Sequence, residues 1–415
     1  MRRLACRSSE TWITSIGVVT AFGTGLDVLV RALEEGRTAD APPWSFDPGQ
    51  LTIGSLAELR QPLPEVPGFK DDRKVHLLFE AAREALASAG LDSAPDPGRG
   101  VFLGTGLSSV TPHELEVDLY PHLRNGAFDR ASIARSLSTD SGSPHRHLPG
   151  RAAYALARVF GATGPVQTSF SACAASAQAI ADASLAIRRG EIHCALAGGH
   201  DSMTHPLGVL SFVLLGTLSD DRCRPFDRRR NGFLLGEGAA VLLLEHPDHA
   251  LARGARPIAR ILGSGTSTDA HAVTAPHPEG FGAYLAMRRA LEDAHIPSAR
   301  VDQINAHGTG TVVGDQAEAL AVARLFSNPV PVCSLKGAIG HTIAAAGAVE
   351  LAGSLGAMVR GFMPGSAGSE EPDPACPVNV QLAPVHRTPG VVLSNSFGFG
   401  GQNASLVVAH PDFQD

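Results

Sequence analysis

Apolar runs separated by glycine and proline mark out the elements of this chain. Residues 166–170, 193–198 and 330–334 read as strands too uniformly apolar for a sheet with one wet face, which predicts sheets covered on both sides. The segments after Cys173 and after His341 are alanine-rich nearly all round, so each predicts a helix buried between two sheets. The expected layering is α-β-α-β-α.

Comparing the chain with itself predicts how those layers arise. Residues 81–106 read as a helix, a linker and a short strand ending in Gly104-Thr105-Gly106; residues 286–310 repeat that order and end in Gly308-Thr309-Gly310, offset by 204. The segment 166–190 is a β-branched run, a turn and a small-residue helix ending Arg-Arg-Gly, and 330–361 repeats it, ending Val-Arg-Gly, offset by 171. A third pair, GEGAAVLLLE (236–245) and GGQNASLVVA (400–409), is offset by 164. The expectation is a duplicated α/β unit with halves near 9–250 and 255–411. Residues 107–150 have no counterpart in the second half; rich in Ser, His and Pro, they read as an insertion that caps a site or builds a subunit interface.

Composition narrows the picture by exclusion. The chain has 415 residues, enough for two or three ordinary domains or one large composite one. Lys+Arg 34 against Asp+Glu 41 gives a net charge of −7, so nucleic acid is not an expected partner. A charged fraction of 18% beside 44% hydrophobic residues excludes disorder and fits a large core. The six cysteines (Cys6, Cys173, Cys194, Cys223, Cys333, Cys376) form no CxxC pair, and no apolar stretch follows the basic start MRRLACR, which predicts a cytoplasmic protein without a secretory signal. The longest uncharged run, 388–409, carries several Gly and polar Ser, Asn and Gln, so no membrane span is expected there.

Cys173 follows a predicted strand and opens a helix. There the unpaired first-turn amides and the helix dipole favour an anion, which should lower the thiol pKa and make a thiolate nucleophile. On position alone it can equally be a small buried residue, as Cys194 and Cys333 are expected to be. His307 sits where a predicted strand (301–306) breaks into Gly-Thr-Gly-Thr. His341 starts the second alanine-rich helix, at the position expected to match Cys173 in the duplication, so a pseudo-twofold axis would bring the two together. Phe397-Gly398-Phe399-Gly400-Gly401 lets backbone approach a ligand, yet it fits neither a phosphate loop nor a dinucleotide turn. No HExxH or paired Cys/His spacing predicts a metal. His200-Asp201-Ser202-Met203 reads as a loop.

Taken together, SACAAS around Cys173, PFDRRRNGFLLGEGA (225–239), NAHGTGT with Gly314-Asp315 (305–315), SLKGAIGHTIAAAGAVE (334–350) and SNSFGFGGQNASLVV (394–408) resemble the elongating β-ketoacyl-[acyl-carrier-protein] synthases, which have a thiolase fold. The resemblance covers nearly the whole chain. It implies one ketosynthase domain over 9–411 and a duplicated, five-layered α-β-α-β-α sandwich. It implies Cys173 as the nucleophile that takes the acyl chain, with His307 and His341 facing the extender thioester and Lys336 paired with Glu350. It further implies an oxyanion hole from the backbone N–H groups of Cys173 and Phe399, and Thr274, Thr309, Thr311 and Phe399 along the phosphopantetheine arm. No metal or nucleotide cofactor is implied. Substrates would arrive on acyl carrier protein, and the assembly would be a homodimer, or a heterodimer with a chain-length-factor-type subunit.

The chain departs from the family pattern at Ala272, where His is usual, at Gly310, where the fatty-acid enzymes more often have Ser, and at Gly-Ala-Ile-Gly-His-Thr (337–342). These departures point toward type II polyketide or polyene systems and away from housekeeping fatty-acid elongation. A CoA-dependent thiolase would need a second, C-terminal cysteine, which the 394–403 loop lacks. A non-catalytic partner subunit, the alternative from another class, would typically lack the cysteine that this chain keeps.

Overall fold

The computed structural model describes residues 10–49, 53–70, 72–106, 120–137 and 148–414. In the first half, Thr11–Thr20 (β1) is followed by helices Leu26–Glu34 (α1) and Arg73–Ala89 (α2) and by Arg99–Thr105 (β2). Helix Arg151–Phe160 (α3), Val166–Ser169 (β3), Ala175–Arg188 (α4), Cys194–Ser202 (β4), helix Pro206–Leu214 (α5) and Glu237–Glu245 (β5) complete it. The second half contributes Ala259–Thr268 (β6), Phe281–Ala294 (α6), Gln303–Asn305 (β7), Val312–Leu325 (α7), Pro331–Cys333 (β8), Ala346–Arg360 (α8), Val391–Gly398 (β9) and Gln402–Ala409 (β10).

Strand order repeats between the halves. The first runs β3-β2-β4-β5-β1 and the second β8-β7-β9-β10-β6. In each, the first two pairings are parallel and the last two antiparallel. The two are joined where Thr11–Ile13 of β1 pairs antiparallel with Ala259–Ile261 of β6, so the hydrogen-bonded path runs through a single twelve-stranded sheet. Helices α4 and α8 fill the space between the two halves of that sheet; α2 and α3 cover one outer face, α6 and α7 the other. This is the five-layered, duplicated thiolase fold.

The layers follow from side-chain pattern. Helix α2 buries Val75, Leu77, Leu78, Ala81, Ala82, Ala85 and Ala89, a one-sided stripe suited to an outer helix. Helix α8 is buried continuously from Ala346 to Met358 because alanine, glycine and leucine surround it. Among the described residues, Ile343–Arg360 is the only stretch of helix long and apolar enough to cross a membrane, and 89% of it lies inside the protein; it is a core helix.

Two expectations need correction. β4 extends through Ser202, and His200, Asp201 and Ser202 are buried strand residues rather than a loop. Their polar side chains are enclosed because the strand runs between covered faces, so polarity there marked an interior site and no turn. β3 is not covered on both sides: Gln167 and Phe170 are exposed, the latter by 53%, because β3 ends the sheet. Of the 107–150 insertion, residues 107–119 and 138–147 lie outside the described residues; between them are a short hairpin, Leu123–Arg124 with Ala127–Phe128, and helix Arg130–Leu137.

The buried helix α4 approaches the backbone of β2 where a side chain is missing. A Cβ on Gly104 of β2 would stand 2.2 Å from the backbone nitrogen of Ser176 in α4, and the backbone has nowhere to retreat. Gly104→Ala should therefore lower unfolding free energy by about 1–3 kcal/mol, as overpacking of a tight core does. Denaturant unfolding measures this, and parent-like stability would contradict the contact.

Candidate active site

Each buried helix is entered through the same strained turn. Ala172 has φ 47° and leads into a 3₁₀ turn, Ala172–Ala174, then α4; Ile343 has φ 48° and leads into Ile343–Ala345, then α8. Left-handed backbone is unfavourable for both residues, and most of all for β-branched Ile343. The turns are 171 residues apart, so Cys173 corresponds to Ala344, and His341 to Phe170. The expected match of His341 with Cys173 is thus corrected: His341 reaches the cysteine from a stretch before the turn, where its N–H donates to Leu234 and its carbonyl accepts from Gly236.

The helix starts meet. The Ala348 N–H donates to Ser176 Oγ at 3.0 Å, and a Cβ on Gly347 would lie 2.9 Å from the Ala177 nitrogen. At the junction His341 Nε2 lies 3.1 Å from Cys173 Sγ, so the two share one proton. The His307 ring crosses the His341 ring at 82° with centroids 5.5 Å apart. Phe233 packs edge-on against His341, and Phe397 tilts against His307.

Burial governs the charges here. It pushes the Cys173 thiol up to about 12, against the opposing pull of Lys336 and of the Phe399 N–H that donates to the sulfur. The expected drop toward neutrality is corrected: in a site this enclosed, loss of hydration outweighs the helix-start amides, and the resting sulfur is a thiol that needs a base. Burial, and then the Lys336 charge, hold both imidazoles well below the usual histidine range, so they are neutral. Lys336 Nζ is 2.6 Å from Glu350 Oε1, both fully enclosed, and burial pushes the Glu350 carboxyl up to about 7.

Two carboxylates mould the His307 loop: Glu318, which sequence reasoning missed, and Asp315, which the motif named without giving it a role. Glu318 on α7 accepts from the N–H groups of His307 (2.9 Å) and Gly308 (2.8 Å) and from Asn395 Nδ2. Asp315, one turn earlier, accepts from Gly310 and Phe226 N–H, and burial pushes it up to about 7. Three-residue spacing on one helix face was the available signal. A third carboxylate, Asp201, read from the sequence as loop, accepts the Ala344 N–H at 3.1 Å and the Ser202 N–H at 2.9 Å; its sign was a charge inside a buried strand.

A cavity of about 370 Å³ opens onto this group. Cys173, His307, His341, Thr274, Thr309, Thr311 and Phe399 all line it, so the structure brings together the residues expected to touch substrate. Thr309 and Thr311 hydroxyls are hydrogen-bonded at 2.9 Å, and Thr274 is exposed. Phe212, Phe233 and Ile343 form an apolar part of the wall. Lys336 and Glu350 stand outside the lining, behind the histidines. Gly398 passes so close to Cys173 that a Cβ on it would sit 3.1 Å from the Cys173 nitrogen, and Gly400 N–H donates to Val273 O at 2.7 Å, tying the 398–401 loop to the Thr274 loop.

Residues 69–250 match the family model for the β-ketoacyl synthase N-terminal domain, and 258–370 that for the C-terminal domain. The chain is 36% identical over 408 residues to Nodulation protein E of Rhizobium sp. (strain N33), covering 95% of this chain and 97% of that protein. It is 32% identical over 418 residues to 3-oxoacyl-[acyl-carrier-protein] synthase 2 of Coxiella burnetii, covering 96% and 97%. A solved structure, the ishigamide ketosynthase/chain length factor, superposes with a TM-score of 0.85 at 32% identity, covering 97% of this chain and 99% of that one.

The neutral histidines have a consequence for stability. Folded, they resist protonation; unfolded, they take protons near the ordinary pKa of about 6.5, so stability falls as pH drops through that value. Between about pH 7.5 and about pH 5.5, His307→Gln and His341→Gln should each lose about 1 kcal/mol less unfolding free energy than the parent. Identical pH dependence in parent and variants would show that the rings are not held neutral.

Proposed function

The chain belongs to the β-ketoacyl synthase family, and on that premise we propose that Cys173 carries an acyl group as a thioester while His307 and His341 activate a malonyl unit delivered on acyl carrier protein. The enzyme is an acyltransferase that joins the two by decarboxylative condensation. The observation that carries the assignment of residues is the 3.1 Å approach of His341 Nε2 to Cys173 Sγ, with His307 beside them in one cavity.

In the first step Cys173 Sγ attacks the acyl thioester and its proton moves to His341 Nε2. The developing oxyanion is held by the N–H groups of Cys173 and Phe399. The carrier's phosphopantetheine thiolate leaves and takes the proton back. A malonyl thioester then enters with its carbonyl oxygen between His307 and His341, and carbon dioxide departs, leaving an enolate. Neutral imidazoles suit this step: each can donate a hydrogen bond to the enolate oxygen, and neither carries a spare acidic proton to quench the carbon. The enolate carbon attacks the Cys173 thioester, the carbon–sulfur bond breaks to leave the β-ketoacyl product on the carrier, and the departing Cys173 thiolate takes up a proton from water to regenerate the thiol. Thr274, Thr309 and Thr311 line the path of the phosphopantetheine arm, Phe399 gates acyl entry, and Lys336 with Glu350 sets the charge behind the rings.

The repeated strand order supports a single domain over 9–411 built from halves 9–250 and 255–411. β3, a sheet edge with Gln167 exposed on it and Phe170 exposed just beyond it, supports continuation of the sheet into a second subunit, either another copy or a chain-length-factor-type partner. The sequence departures at Ala272, Gly310 and 337–342 favour a type II polyketide or polyene pathway, and the 32% identity to a ketosynthase/chain length factor supports a chain-length-factor-type partner. The enclosure of the long apolar helix Ile343–Arg360 is consistent with a cytoplasmic enzyme. A non-catalytic partner is disfavoured because Cys173, His307, His341 and Lys336 are all present.

Replacing His307 should separate the half-reactions, whereas replacing His341, which also takes the Cys173 proton, should impair both. His307→Ala should still acylate Cys173 but lose about 10²–10³ in malonyl decarboxylation, the usual cost of one aimed donor, and His341→Ala should lose at least as much. Acylation is read by intact mass with peptide mapping, and near-parent condensation by either variant contradicts the roles.

Cys173→Gln decides between enzyme and shaping partner. A neutral amide in the oxyanion hole imitates the acyl thioester, so this variant should fold, fail to condense, and still decarboxylate malonyl-carrier protein. Undiminished product from a reconstituted pathway containing it would mean that this chain is not the condensing subunit.

A further inference from the structure

Among the described residues, two groups of soft ligands are close enough to share an ion: His193, Cys194 and His249, and Cys173, His307 and His341. The ring planes separate them. A metal bound to imidazole lies near the ring plane, along the nitrogen lone pair, so two rings can share an ion only where their planes cross. His193 and His249 stack nearly parallel, 18° apart with centroids at 4.3 Å, and one nitrogen of each is already committed, to Asp96 at 3.0 Å and Glu245 at 2.7 Å. Arg99 and Arg253 complete those ion pairs. That group is a charge network with no common point for an ion.

The second group has the opposite geometry. Its rings cross at 82°, the three ligand atoms lie within 4.8 Å of one another, and Sγ is 3.1 Å from His341 Nε2. Zinc bonds of about 2.0–2.3 Å in a tetrahedron set ligands about 3.5 Å apart, between the 3.1 Å of the Cys173–His341 pair and the 4.8 Å that bounds all three. The fourth position faces the cavity, which leaves room for water and gives the ion a route in. The Lys336 charge behind the rings is offset by Glu350 at 2.6 Å. A coordinating thiol gives up its proton to solvent, so no base is needed.

We infer that Cys173, His307 and His341 form an inhibitory site for a soft divalent cation such as zinc, which enters through the substrate cavity and ties up the nucleophile and both hydrogen-bond donors together. The binding rests on geometry; the inhibition rests on the roles assigned above, and the two are read separately. An acylated Cys173 offers no thiolate, so the loaded enzyme is protected and the free enzyme is the target.

The test uses the full chain in thiol-free buffer, with cobalt as a spectroscopic probe and zinc as competitor. One cobalt per chain should bind with a thiolate-to-metal charge-transfer band that zinc displaces. The band should vanish in Cys173→Ser and in chain acylated beforehand, and His307→Ala or His341→Ala should weaken zinc binding by about tenfold or more. Thermal melts confirm that each variant is folded. A band that survives in Cys173→Ser, a band that disappears in the His193→Ala/His249→Ala double variant, or the absence of any band overturns the site. Zinc binding that leaves acylation of Cys173 unimpeded overturns inhibition. Zinc binding to a chain that never acylates, even when metal-free, would instead sink the functional assignment and leave the site standing.

Discussion

The starts of α4 and α8 meet between the two halves of the sheet, and every group that faces the cavity is referenced to that junction. The approach is possible only because Ala177, Gly347 and Ser176 leave backbone against backbone, and the Ala348 N–H on Ser176 Oγ fixes the distance. Both helices are entered through left-handed residues, Ala172 and Ile343, each a conformation costing about 1–3 kcal/mol. The turns themselves are packed on each other, so the surrounding core over-determines them. Cys173 is held at a fixed place by a strained loop that has no room to relax.

Desolvation is the second theme. Lys336, Glu350, Asp315, Glu318 and Asp201 are all enclosed, and such charges survive only when paired or hydrogen-bonded. Their arrangement divides labour. Glu318 and Asp315 satisfy loop amides and shape the turn that carries His307, while Lys336 adds to the burial that keeps the imidazoles from charging. A site with two neutral histidines and a protonated thiol carries little net charge where substrate sits, although five ionisable side chains surround it. That suits a reaction in which charge appears only transiently, first on a carbonyl oxygen and then on an enolate.

Much of this was legible in the sequence. The repeat at 171 residues showed because both buried helices must be built from small residues, a composition outer helices such as α2 do not share. Its register was misjudged because the periodicity of an alanine-rich helix does not mark where the helix begins; the positive φ at Ala172 and Ile343 does, and nothing in those two side chains announces it. Cys173, His307 and His341 were found through their motifs. The thiol's charge state was not, because reasoning from helix-start amides leaves out the loss of water. Polar residues in β4 were mistaken for a loop since His200 and Asp201 break an otherwise apolar run, and their partners come from elements far away in the chain. The roles of Glu318 and Asp201 were missed for the same reason: a carboxylate that serves distant backbone amides has no local signature.

A fold with an internal twofold axis offers two equivalent positions and gives no reason to choose between them. At one stands Cys173; at the other stands Ala344, and Asp201 already occupies the amide there. The carboxylate acts as a permanent ligand at the second position, so the amide there is already taken while that of Cys173 faces the cavity side of the junction. Chain duplication supplied the geometry twice, and a single aspartate gives the molecule a front and a back.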